Sequence, residues 1–175
     1  MARLVARVTT LDDHDAFAEI VHLYQTPVRR FLTRLAPASG AADDLAQETF
    51  LKAYRHLDSY RGQGRFVSWL FRIAYQEFVT SIRKRAPATT ALHGDVVDAG
   101  LGERLVASLS IERAMTTLRS DERAALDLHY RRQLTHPEVA SVMNVPIGTV
   151  KSLILRGRAK LRDVLVGRPA PETNR

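Results

Sequence analysis

The chain has no cysteine. That excludes disulfides, zinc–cysteine and iron–sulfur sites and thiol catalysis together. It has no apolar run near the ~20 residues that span a bilayer. The opening MARLVARVTT is basic, but its apolar stretch is too short for the core of a secretory signal. No stretch alternates with period two, so no sheet is expected. The six histidines show no HExxH-type spacing, and there is no phosphate-cradling glycine loop and no nucleophile elbow. No metal, cofactor or catalytic residue is expected, and an enzyme is the weakest of the readings.

What the chain does have is positive charge. Its 175 residues carry 26 Lys and Arg against 19 Asp and Glu, a net +7 with a pI near 10.2. A small protein this basic is suited to an anionic partner. The charge is unevenly placed. Residues 1–85 are net +4, residues 86–110 net −2 and residues 111–175 net +5. The middle block, rich in Ala, Thr, Gly and Val, reads as a flexible linker. The fold class expected is all-α: two small helical domains, 1–85 and 111–167, joined by a flexible linker over 86–110, with a disordered tail over 168–175. No appended regulatory domain is expected.

In the first block, Phe17, Ile20, Val21, Tyr24, Val28, Phe31, Leu32 and Leu35 recur at helical spacing from Asp12-Asp13 onward. Pro27 predicts a kink or break there. A second helix is expected from about Ala41 to Leu57, with Ala46, Phe50, Ala53, Tyr54 and Leu57 inward and Asp44, Glu48, Leu51, Lys52 and Arg55 outward. A glycine-containing loop, residues 58–65, precedes a third helix from about Phe66 to Arg85. Tyr60, Phe66, Trp69 and Tyr75 stand among Arg61, Arg65 and Arg72. Rings interleaved with cations suit single-stranded bases, and the loop suits an extruded base. Most of these rings read as core, and for Phe66 and Trp69 that is the better reading, whereas Tyr60 stands on the loop.

The second block reads as helices at about 110–118 and 121–131, followed by a helix-turn-helix. Thr135 and Glu138 form a capping box, Pro137 fits the first turn, and Asn144 suits a left-handed turn. A last helix from about Gly148 to Leu165 has Val150, Ile154, Leu161 and Leu165 inward. Its other faces carry Lys151, Arg156, Arg158, Lys160 and Arg162. A recognition helix in a major groove has this distribution.

Residues 44–54, DLAQETFLKAY, residues 66–74, FVSWLFRIA, and residues 146–152, PIGTVKS, are together familiar. The chain resembles bacterial extracytoplasmic-function sigma factors. The resemblance implies a subunit that binds core RNA polymerase and directs promoter recognition, melting of the minus-ten element and transcription initiation. It implies a cytoplasmic protein that does not insert in membranes and is held by an anti-sigma factor. By position, Asp44, Gln47, Glu48 and Leu51 would face the polymerase. Tyr60, Arg61, Phe66, Trp69, Arg72 and Gln76 would meet the melted strand. Thr149, Lys151, Ser152, Leu155, Arg156 and Arg158 would meet duplex DNA. Leu153 stands where the family often has Arg, which implies one phosphate or base contact fewer. The rival reading is a helix-turn-helix regulator that never touches polymerase, which leaves the first block without a purpose.

Overall fold

A computed structural model describes residues 1–36, 40–60, 62, 64–85, 111 and 113–166. Among them every regular element is helical. The first unit holds α1 (Ala2–Leu11), α2 (His14–Leu35), α3 (Ala42–Arg55), a 3₁₀ turn at Leu57–Ser59 and α4 (Phe66–Arg85). The second holds α5 (Ser120–Leu126), a π-helical continuation at Asp127–Arg131, α6 (His136–Met143) and α7 (Ile147–Leu165). The expected linker and tail lie outside the described residues.

Helix α1 was not legible in the sequence. Only Val5 and Val8 bury, one turn apart. Asp12 then turns the chain at φ 49°, and Asp13 caps α2 by accepting the Ala16 N–H at 3.0 Å. That bond and the Arg7 guanidinium, 2.6 Å from Asp13 Oδ2, hold the Asp13 carboxyl below the usual range. Contrary to the break expected at Pro27, α2 runs unbroken through it. The single donor that proline removes would have served the carbonyl of Leu23, an exposed residue within reach of water. Beyond it Val28, Phe31, Leu32 and Leu35 are buried and hold the helix down.

Helix α3 is rotated from the expected face. Leu45, Ala46, Thr49 and Ala53 are buried, while Phe50 and Tyr54 lie half-buried at its side. Thr49 is tolerated inside because its hydroxyl donates to the Leu45 carbonyl at 2.6 Å. Helix α4 occupies the predicted span and buries Phe66, Leu70, Phe71, Ala74 and Phe78.

In the second unit the local signals hold. The Thr135 hydroxyl accepts from the Glu138 N–H at 3.4 Å, and the Glu138 carboxylate accepts from the Thr135 N–H at 2.7 Å. Asn144 ends α6 at φ 54°. The chain bends by 102° between α6 and α7, within the helix-turn-helix range. Helix α7 seats on α5 through Val150, Leu153, Ile154 and Gly157. A Cβ on Gly157 would stand 2.8 Å from Leu126 Cδ1. The expected inner stripe is corrected at two places: Leu153 belongs to it, and Leu165 is exposed.

The two units are packed together. Helix α4 lies against α6, and α2 against α5, within one continuous buried cluster. Nothing in the sequence pattern signalled this packing.

Candidate nucleic-acid interface

Three surfaces gather the candidate residues. The first is on α3. Asp44, Gln47, Glu48 and Leu51 recur at i, i+3, i+4 and i+7, and all four are exposed. Gln47 and Leu51 edge a groove of about 620 Å³ between α2 and α3, with Phe17, Val21, Phe50 and Tyr54 in its walls, while Asp44 and Glu48 lie on the same exposed helix face outside its lining. At one end Arg29 pairs with Asp43, Nη2 to Oδ2 at 3.0 Å. At the other, the Tyr54 hydroxyl donates to Asp12 at 2.8 Å, and that bond raises the phenol above its ordinary value. An apolar trough beside an exposed acidic helix face suits a helical partner carrying apolar anchors and cations. The sequence pattern identified the acidic edge but missed the α2 half of the trough.

The second surface is the loop before α4. Gly62 at φ 71° and Gly64 at φ 81° supply left-handed turns that other residues adopt at a cost. The Tyr60 hydroxyl ties the loop by donating to the Gly64 carbonyl at 3.1 Å. The Tyr60, Phe66 and Trp69 rings form one cluster, with centroids 5.3 to 5.7 Å apart. Phe66 is corrected here: it is only 4% exposed and packs against Tyr24 as well, so it backs the cluster rather than meeting a ligand. Tyr60 and Trp69 are half-exposed, and Arg72 and Gln76 are exposed. Trp69, Arg72 and Gln76 share a hollow of about 490 Å³ with His56, Lys52 and Glu77. Lys52 Nζ meets Glu77 Oε1 at 2.6 Å. His56, Lys52 and Glu77 were missed, since the tertiary fold alone brings His56 and Lys52 to Glu77 on α4. Arg61 lies outside the described residues.

The third surface is the outer face of α7. Thr149, Lys151, Ser152, Leu155, Arg156 and Arg158 are all exposed, Leu155 by 69%. The Ser152 hydroxyl donates back to the Gly148 carbonyl at 3.0 Å. Leu153 is corrected: at 3% exposure it is core, so its position takes nothing from the DNA-facing surface. Part of the cationic stripe is also committed to an ion pair. Lys160 Nζ sits 2.8 Å and Arg156 Nε 3.9 Å from Glu122, whose carboxylate is buried beneath α7. The side chains best presented outward are therefore Lys151, Leu155 and Arg158.

The comparisons with known proteins agree with this geometry. The family description Sigma-70 region 2 matches residues 20–87, and Sigma-70, region 4 matches residues 108–161. The ECF RNA polymerase sigma factor SigW of Bacillus subtilis is 34% identical over 169 residues, covering 87% of this chain and 90% of that protein. The ECF RNA polymerase sigma-E factor of Escherichia coli K12 is 34% identical over 171 residues, 89% of this chain and 88% of the relative. Among solved structures, the sigma factor RpoE of Bartonella quintana in complex with the anti-sigma factor NepR is similar at a TM-score of 0.71 and 26% identity. It covers 86% of this chain and 96% of that one. CnrH in complex with the cytosolic domain of CnrY shares the fold at a TM-score of 0.69. The chain belongs to the extracytoplasmic-function group of sigma-70-type RNA polymerase sigma factors.

Proposed function

We propose that this sigma factor docks on core RNA polymerase through α3, holds the melted minus-ten strand at the Tyr60–Trp69 cluster and reads the minus-thirty-five duplex with α7. The observation that carries the reading is the pairing, in one short chain, of an exposed acidic face on α3 beside an apolar trough with an outward cationic helix. Asp44, Gln47, Glu48 and Leu51 make the polymerase contact. Tyr60 and Trp69 stack unpaired bases, and Arg61, Arg72 and Gln76 meet the same strand. Thr149 and Ser152 lie near phosphate at the N-terminal end of α7. Lys151, Leu155, Arg156 and Arg158 enter the major groove. Residues 1–85 form the melting and docking domain, 86–110 the linker, 111–167 the duplex-reading domain and 168–175 the tail.

No step requires the chain to make or break a covalent bond, so it acts as a binding subunit rather than an enzyme. Its partners place it in the bacterial cytoplasm, and among the described residues no single helix is long and apolar enough to cross a membrane. An anti-sigma factor is a further partner, supported by the complex in which the similar RpoE was solved.

The test is the double substitution Asp44→Arg with Glu48→Arg, measured for affinity to purified bacterial core polymerase. Reversing two charges on the α3 face is expected to weaken binding ~100-fold while the melting temperature stays near wild type. Unchanged affinity overturns the docking surface. Wild-type chain that binds duplex tightly, shows no affinity for core and yields no new transcripts from genomic DNA is an ordinary helix-turn-helix regulator instead.

A further inference from the structure

A buried carboxylate lies beneath the cationic helix, and no binding step proposed above uses it. Glu122 stands in the first turn of α5 and is 2% exposed. Its Oε2 accepts the Arg119 N–H at 3.2 Å, which closes the start of α5. Its charge is met from α7. Lys160 Nζ donates to both carboxylate oxygens, at 3.0 and 2.8 Å, and Arg156 Nε lies 3.9 Å from Oε1. Gly157 permits the close approach, since a Cβ there would stand 3.6 Å from the Glu122 Cβ and 2.8 Å from Leu126. Lys160 follows Leu153 and Gly157 at seven and three residues, along the edge of the buried stripe. Its side chain is still 44% exposed, so it stands at the boundary between the seat of α7 and solvent.

We propose that Glu122 is a positioning residue for duplex binding: it withholds Lys160 from the phosphate backbone and so limits the sequence-independent contacts that α7 makes. The inference rests on the proposed reading of α7 as the duplex-reading helix. At 1.5 Å per residue, Lys160 stands ~13 Å along α7 from Lys151. That is about one width of the major groove. A helix that sets Lys151 against the bases therefore carries Lys160 to the level of a flanking strand. A long, flexible lysine stem with solvent at its edge reaches a phosphate there. The carboxylate is what holds it back. Buried, Glu122 keeps its attraction for Lys160 with little screening by salt. Turning Lys160 outward strips a buried charge of its main partner, a cost that one exposed phosphate contact does not offset. Arg156 is held less closely and stays open to the groove, its side chain 60% exposed. Phosphate contacts raise affinity for every duplex alike. Holding one cation inward thus lowers binding to DNA at large and leaves the outward set, Lys151, Leu155 and Arg158, in place.

The affinity of the full chain for a random-sequence duplex, measured by fluorescence anisotropy across a salt series, tests this. Glu122→Gln keeps the shape and the acceptor for the Arg119 N–H and removes the charge. It is expected to tighten binding roughly 5- to 10-fold near ~0.1 M salt and to steepen the slope of log affinity against log salt by ~0.9, one added phosphate contact. Lys160→Gln in the otherwise unaltered chain is expected to leave the slope as it was, and, joined to Glu122→Gln, to abolish the gain. A Glu122 that only supports the fold predicts the reverse, a loosened α7 and weaker binding. An unchanged or shallower slope in folded Glu122→Gln overturns the proposal. So does a slope that Lys160→Gln alone flattens by ~0.9, and that arm carries the test if circular dichroism shows Glu122→Gln unfolded. Lys151→Ala separates the inference from the reading beneath it. If Lys151→Ala flattens the slope and Glu122→Gln leaves it alone, the inference fails and the duplex-reading helix stands. If Lys151→Ala has no effect on the slope, α7 is not the duplex-reading helix and the inference falls with it.

Discussion

The two units bury opposite things. The first encloses aromatic rings, with Phe31, Phe66, Phe71 and Phe78 inside, and leaves acids such as Asp44 and Glu48 on its surface. The second encloses two carboxylates, Glu122 and Asp127, together with one guanidinium, Arg123, and leaves the cations of α7 exposed. The difference teaches that counting cations along α7 overstates what is presented to DNA. Lys160 is committed to Glu122, and Arg162 stands 3.8 Å from Asp163. The buried Glu122 sorts the cations: Lys160 reaches down to it from the surface, and the described residues give Lys151 and Arg158 no such partner.

Four variants test this contrast. Phe71 packs edge-on against Phe31 at 5.1 Å and lies under Arg132, so it serves both the first core and the seam between units. Phe71→Ala is expected to cost ~3–5 kcal/mol in denaturant unfolding. A loss below about 1 kcal/mol would remove Phe71 from the shared core.

Trp69→Ala is expected to weaken binding to a single-stranded oligonucleotide by ~1–3 kcal/mol, the scale of one stacked base, and to leave duplex affinity as it was. The complementary change, Lys151→Ala with Arg158→Ala, should do the reverse. Duplex affinity falls, and the slope of log affinity against log salt flattens by ~2, about 0.9 per phosphate contact removed. An equal effect of either change on both ligands would erase the distinction between a stacking surface and a cationic one. Smallest is Thr135→Ala, expected to cost ~1 kcal/mol by removing the acceptor for the Glu138 N–H. A thermal scan of the full chain reads it, and an unchanged midpoint denies the cap any part in stability.

What the sequence disclosed, and what it concealed, divides by distance along the chain. The capping box at Thr135 and Glu138 spans three residues, and the Asn144 turn is set by one. Both are local chemistry and both are legible, as is the span of α4. The acidic edge of α3 is visible for the same reason, being a single helix face. The Arg34–Asp127 pair joins residues 93 apart and the Arg132–Pro27 bond residues 105 apart. No periodicity reports such pairings. Asp127 in particular sits between Leu126 and Leu128, both buried, and looks in sequence like any polar residue on an amphipathic helix. Leu153 misleads in the opposite way. Its position in the motif suggests an outward contact, whereas the crossing of α7 over α5 turns it inward.

Gly157 sets a limit of another kind. With Leu126 so near, any side chain there must displace the buried Leu126 side chain on which α7 is seated. Positions 151, 152 and 155 carry no such constraint, since each is exposed. Over evolutionary time the two sets are free to change at different rates. On the proposed reading, promoter preference can drift one letter at a time through the outer positions, while the seat beneath them stays fixed. A designer retargeting this chain would randomise those three and leave the glycine alone.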